Sequence, residues 1–281
     1  MTPAALPLGV FDSGLGGLTV VHALQDLLPR ESLVYFGDTA RVPYGNKSSR
    51  TVIRLSLEAM HFLSRVGMKT MVVACNTASA LAMETLTQEA PVPVVGVVEA
   101  GAEAAVRATR SGSIGVIGTR ATVHSACYPR EITARLSGAR VTAAACPLLV
   151  PLVEEGWLNS SVTREVAASY LAPVQAAGID TLILGCTHYP LLKPVIQEIV
   201  GPGVALIDSA EAVARKVAAL LEEHGLEAAG KAPRSRFFVS DQVEKFAEQA
   251  ATFLGRPVQA AWVDQTDMPW YDRDVSSRED V

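Results

Sequence analysis

Much is scarce in this chain of 281 residues, and each scarcity excludes something. Cysteine is sparse: Cys75, Cys127, Cys146 and Cys186 stand far apart, with no C-x-x-C pair. That spread is no disulfide framework and a poor zinc site. The five histidines (His22, His61, His124, His188, His224) offer no H-x-x-x-H spacing, so no metal is expected. Positive charge is short too, with Lys+Arg 24 against Asp+Glu 29 and a net charge of -5. Phosphate neutralisation calls for a basic stripe. The densest basic stretch, Lys231 to Arg236, is broken by Pro233, so nucleic acid is not expected as the main partner. No apolar run reaches the roughly 18–20 residues that span a bilayer. The opening MTPAALPLGVF lacks a basic n-region and soon meets Asp12, so a cytoplasmic protein is the expectation. The N-x-S matches at Asn46 and Asn159 are then chance.

What is present is core. Hydrophobic residues make up 49% and charged residues 19%, which suits one large globular domain or two modest ones. Continuous apolar runs predict strands at Leu8–Phe11, Leu33–Phe36, Thr70–Ala74, Val92–Val97, Ser113–Ile117, Val141–Ala145, Thr181–Leu184 and Val204–Ile207. Such runs suit strands covered on both faces. Helical spacing fills the gaps at Leu18–Leu28, Arg50–Val66, Ala78–Thr87, Thr163–Ala177 and Ala212–Glu223. Alternating strands and helices predict an α/β fold with largely parallel sheets.

The chain also repeats itself. A polar turn at Asp12 precedes Cys75 by 63 positions, and one at Thr119 precedes Cys186 by 67. This reads as two pseudo-symmetric lobes with a boundary near Val97–Ala100. The helices Ser209–Glu223 and Gln242–Leu254 fit either lobe on periodicity alone. The polar stretch 264–281 reads as an arm or a loose tail.

Ligands of open α/β sheets bind beyond the carboxyl ends of the strands. Cys75 and Cys186 both fall there, each ahead of an expected helix start. A helix N-terminus favours a thiolate, which predicts thiols lowered towards neutrality. Two facing thiols are no nucleophile–base pair, which calls for His or a carboxylate. They suit proton removal and return on opposite faces of one carbon, which inverts a stereocentre. Cys127 and Cys146 lack this context and read as packing residues.

Helpers lie close in sequence. Asp12 ends a strand in the glycine-rich turn Asp12-Ser13-Gly14-Leu15-Gly16-Gly17 and suits either proton steering or helix capping. His188 follows Cys186 by two positions. Glu154 closes an apolar run, and the residues do not distinguish it from Glu155. The polar loop Gly37 to Lys47 carries a shaped turn, Pro43-Tyr44-Gly45. Asp38 within it suits tying down the loop as well as touching substrate. With Ser13, Asn76, Thr77, Thr119 and Thr187, the loop supplies neutral groups for a carboxylate and an ammonium. The glycine turn is no dinucleotide fingerprint, because Thr19 stands where G-x-G-x-x-G needs glycine, and no P-loop occurs.

Taken together, Gly9-Val10-Phe11-Asp12-Ser13-Gly14-Leu15-Gly16-Gly17, Gly37-Asp38-Thr39, Pro43-Tyr44-Gly45, Ala74-Cys75-Asn76-Thr77, Gly118-Thr119 and Gly185-Cys186-Thr187-His188-Tyr189-Pro190 resemble the glutamate racemases, in order, from about Leu8 to Ser209. The resemblance implies cofactor-independent interconversion of L- and D-glutamate, feeding peptidoglycan synthesis. It implies that Cys75 acts on the D-enantiomer with Asp12, and Cys186 on the L-enantiomer with His188 and Glu154. Asp12, Ser13, Pro43, Tyr44, Gly45, Asn76, Thr77, Thr119, Thr187 and His188 would contact substrate. Two lobes facing a central cleft are implied, 1–98 plus 209–281 against 99–208, in a homodimer. The other readings are a racemase for aspartate or a related substrate, and a silent carboxylate-binding or regulatory protein.

Overall fold

In the computed structural model the described residues are 2–230 and 234–263. The stretch 264–281, and Lys231 in the basic stretch, lie outside them. The elements alternate as the apolar runs predict. In the first half, β1 (Leu8–Asp12), α1 (Leu18–Leu27), β2 (Leu33–Gly37), α2 (Ser49–Val66), β3 (Thr70–Val73), α3 (Asn76–Leu81), α4 (Met83–Glu89) and β4 (Val94–Gly96) follow one another. Helix α5 (Val97–Ala108) then leads to β5 (Ser113–Gly118), α6 (Arg120–His124), α7 (Cys127–Arg135), β6 (Arg140–Ala145), α8 (Leu149–Glu154), α9 (Ser161–Ala176), β7 (Thr181–Gly185), α10 (Lys193–Val200) and β8 (Ala205–Asp208). Helix α11 (Ser209–Glu223), β9 (Arg236–Val239), α12 (Val243–Leu254) and β10 (Ala260–Trp262) close the described chain.

Two sheets form, and every strand pair in them is parallel. The first runs β10-β9-β2-β1-β3-β4 and the second β6-β5-β7-β8. Within both, the leading strand lies between the second and third, with the fourth outside the third. The sequence repeat is therefore also a repeat of topology. In such an order the connections leave in opposite directions from two neighbouring central strands, and that seam is where ligands bind. Here the seams are β1/β3 and β5/β7. They carry Asp12 and Cys75 in one sheet, and Thr119 and Cys186 in the other.

Alternation along the strands explains the layers. Leu8 and Val10 join an apolar core that also contains Ile117, Leu184 and Phe253. Phe11 points the other way, into a core with Phe36, Phe62 and Met71 beneath α2. A third core, with Ile114, Val116 and Ile183, covers the other face of the second sheet. Each fully buried Leu or Phe contributes roughly 1.5–3 kcal/mol. Helix α2 shows the local logic. Ser48 caps it by accepting from the Thr51 N–H at 3.3 Å. Val52, Leu55, Ala59, Phe62 and Leu63 form its buried stripe, and Gly67, at φ +88°, ends it.

The helix expected over Ala78–Thr87 is broken at Ala82 into α3 and α4. The C-terminal segment has a definite home. Strand β9 pairs with β2, so β9 and β10 widen the first sheet. Helix α11 packs on α1 and on α5. Among the described residues, no helix is long and apolar enough to cross a membrane.

Candidate active site

The site is built from turns at the two seams. Cys75 follows β3 and is the N-cap of α3. Its Sγ donates to Ser13 Oγ at 3.3 Å. Asp12 ends β1 almost wholly buried, with Oδ2 accepting from the Gly14 N–H at 2.9 Å. Across the gap Cys186 follows β7. His188 Nδ1 lies 3.9 Å from Cys186 Sγ and 3.5 Å from Thr187 Oγ1. The far side of the ring, Nε2, meets Glu154 Oε1 at 3.0 Å. Glu155 is exposed, and Glu154 is the neighbour that meets the ring.

A cavity of about 50 Å³ joins the two sides. Both Cys75 and Cys186 line it, with Ser13, Pro43, Tyr44, Gly45, Asn76, Thr77, Thr119, Glu154, Thr187 and His188. Every expected site residue except Asp12 is on that wall, and Asp12 sits just behind it under Gly14. Gly14, Leu15, Val42 and Val150 complete the lining and were not among the expected contacts. Apolar residues in turns carry little signal of their own. Larger clefts lie on the outside: one of about 770 Å³ is lined by His22, Asp26, Arg234 and Arg256 and holds neither thiol.

Hydroxyl and amide contacts tie the walls together. Thr77 Oγ1 lies 3.0 Å from Thr119 Oγ1 and 3.3 Å from Thr122 Oγ1. Tyr128 donates to Asn76 Oδ1 at 2.7 Å. Thr19 donates to the Thr187 carbonyl at 3.1 Å. Glycine is required where backbone meets the facing wall. A Cβ on Gly45 would stand 2.7 Å from Thr119 Cβ, and one on Gly16 would stand 2.5 Å from His188 Nδ1.

Likeness to known proteins bears on this geometry. Residues 18–217 match the family described as Asp/Glu/Hydantoin racemase. The chain belongs to that family. It is 50% identical over 256 residues to a glutamate racemase of Syntrophus aciditrophicus (strain SB), covering 91% of this chain and 95% of that one. A solved glutamate racemase isoform from Bacillus anthracis shares the fold at a TM-score of 0.90 and 39% identity, over 92% of this chain and 97% of that one. Another, from Francisella tularensis and solved with D-glutamate, gives 0.88 at 37% identity, over 93% and 98%. The protein is thus an isomerase of the amino-acid racemase kind.

Several expectations for the family's thiols need correction. Cys75 is not lowered: burial pushes it up to about 12, and the charge of Asp12 adds to this. The Ser13 hydroxyl and the Ala78 N–H act the other way and lose. Helix α3 has six residues, too few for a macrodipole to offset that desolvation. Cys186 does not open an α-helix at all. A 3-10 turn, Tyr189–Leu192, intervenes before α10. Its electrostatic partner is instead His188. Burial opposes charge on that ring, but hydrogen bonding to Cys186 and Glu154 outweighs it and raises His188 from 6.5 to about 10. Glu154 is lowered, since its bond to His188 outweighs burial. Asp12 is raised by burial, against the pull of His188 and of the Gly17, Gly14 and Ser13 N–H groups. Asp38 ties the loop down rather than lining the cavity. It accepts from Tyr44 at 2.5 Å, Arg41 at 2.8 Å and Ser240 at 2.9 Å. Cys127 and Cys146 are buried packing residues outside the lining.

Proposed function

We propose that the protein interconverts L- and D-glutamate by two-base proton transfer at the α-carbon, without a cofactor. One observation carries this: Cys75 and Cys186, at matching strand ends of two like sheets, line the same cavity. In this reading Cys186 takes the α-proton of the L-enantiomer and Cys75 that of the D-enantiomer. The sulfur on one face, as thiolate, accepts the α-proton, and the C–H electron pair stays on carbon. The thiol on the other face then gives its proton to that carbon. Nothing is oxidised or reduced, and the two sulfurs end with their protons exchanged.

The surroundings suit this. A thiol raised to about 12 keeps its proton at neutral pH, the form in which Cys75 must act as donor. Asp12 stands behind it as proton steerer. The raised His188, backed by Glu154, sets a positive ring beside the sulfur that must lose a proton. Asp12 Oδ1 and Asn76 Nδ2 are buried without a protein partner. A substrate ammonium and carboxylate would satisfy them. Ser13, Thr77, Thr119, Thr187 and the Pro43-Tyr44-Gly45 turn add neutral contacts. Sheet membership supports a first lobe of 1–98 joined by the segment from 209, and a second of 99–208, with α11 packed on α1 of the first and α5 of the second. The same reading has D-glutamate supplied for peptidoglycan synthesis by a cytoplasmic homodimer.

The test is incubation with glutamate in deuterated water, with no cofactor added. Deuterium should enter the α-carbon as the enantiomers interconvert. Cys75→Ala and Cys186→Ala should each lose at least the roughly 10²–10⁴-fold typical of a general acid or base. Full activity in either variant refutes the two-base assignment. Exchange with aspartate but not glutamate makes it an aspartate racemase. Binding without exchange makes it a silent carboxylate binder.

A further inference from the structure

Helix α12 carries a stripe that the reaction as described does not use. Gln249 and Phe253 stand four residues apart, so they share one helix face. Both touch the Glu154–His188 pair. The Gln249 side-chain amide donates to the Glu154 carbonyl at 2.9 Å. The Phe253 ring meets the His188 ring edge-on, with centroids 5.5 Å apart and planes at 85°. One turn over, Phe246, Ala250 and Leu254 are buried in the core.

The attachment of α12 gives the contact its meaning. This helix lies between β9 and β10 of the first sheet and packs on α1 and β10. Glu154 ends α8 and His188 follows β7, both in the second half of the chain. Glu154 also needs an external anchor. It is the last residue of α8, where helix carbonyls lose their internal partners. Its side chain is 37% exposed and bonds to His188 Nε2. Without the Gln249 amide on its carbonyl, the end of α8 and that carboxylate gain freedom. His188 would then lose its orientation towards Cys186.

We infer that Gln249 and Phe253 are positioning residues that hold the Glu154–His188 pair in register behind Cys186. Helix α12 thereby governs proton transfer on one face of the substrate and leaves the Cys75 face alone. This deepens the two-base reading and rests on it.

The experiment uses Gln249→Ala in the full chain, with Phe253→Leu as a milder second variant. Gln249 is partly exposed and alanine favours helix, so the fold should persist. Primary deuterium isotope effects on kcat/KM are measured from α-deuterated L- and D-glutamate. In Gln249→Ala the rate should fall about tenfold. The isotope effect should rise from the L-side, where Cys186 abstracts, and shrink from the D-side. Phe253→Leu should shift both the same way by less. In a Glu154→Gln background the Gln249→Ala loss should fall below twofold, because the partner it holds is already disabled. Isotope effects that move together, or a rise from the D-side, would overturn the inference. So would an undiminished tenfold loss in the Glu154→Gln background. Solvent deuterium exchange by the unmodified enzyme checks the two-base reading separately, so either can fail alone.

Discussion

Lys69→Met should loosen the whole molecule from a point far from the thiols. Lys69 and Glu31 form an ion pair at 2.5 Å, with side chains only 1% and 5% exposed. The ammonium also donates to the Ala4 carbonyl at 2.9 Å and the Leu226 carbonyl at 2.7 Å. The carboxylate in turn accepts from the Ala228 N–H at 2.8 Å. Methionine keeps much of the volume and removes the charge and all three donations. Breaking a buried pair from one side costs about 3–5 kcal/mol, because the remaining charge is left without its partner. At roughly 2 °C per kcal/mol for a chain of this size, thermal unfolding should fall by about 6–10 °C. Differential scanning calorimetry reads this directly. Adding Glu31→Gln, which keeps an acceptor for Ala228 and discards the stranded charge, should restore at least half of the loss. A shift under about 2 °C, or no recovery in the double variant, would show that the pair is not the clamp its burial implies.

Two further outcomes follow from contacts at the cavity. Gly16→Ala sets a methyl 2.5 Å from His188 Nδ1 and on top of Thr187 Oγ1, so the ring must move. A displacement near 1 Å costs about 10²-fold; steady-state kinetics should show that loss, and retained activity would mean the wall yields freely. The second concerns pH. His188 is raised in the folded state from 6.5 to about 10, so its stabilising contribution is complete below pH 6.5 and lost as pH climbs through 10. His188→Asn should flatten that part of the stability profile, as chemical denaturation at stepped pH would show; an unchanged slope would sink the assignment.

The buried strands were legible because both faces are covered and their runs are continuously apolar. β9 and β10 were not. β9 begins with Arg236, and β10 is three residues at a sheet edge, partly or wholly exposed. Helices α6 and α8, of five and six residues, are too short for periodicity to declare. At the site, the cysteines were legible from their places at strand ends. The choice of Glu154 over Glu155 depended on a partner 34 residues away, which no local pattern encodes. The thiol argument failed at Cys75 because a sequence displays the helix start but hides the desolvation that overrides it.

The cavity's size has a consequence for traffic. A volume of about 50 Å³ has space for about four water molecules, at roughly 10–15 Å³ each. An amino acid fills more space than this. Room for one has to come from the facing walls, which approach closely where Gly45 meets Thr119. A substitution at Gly45 should therefore change how fast molecules come and go.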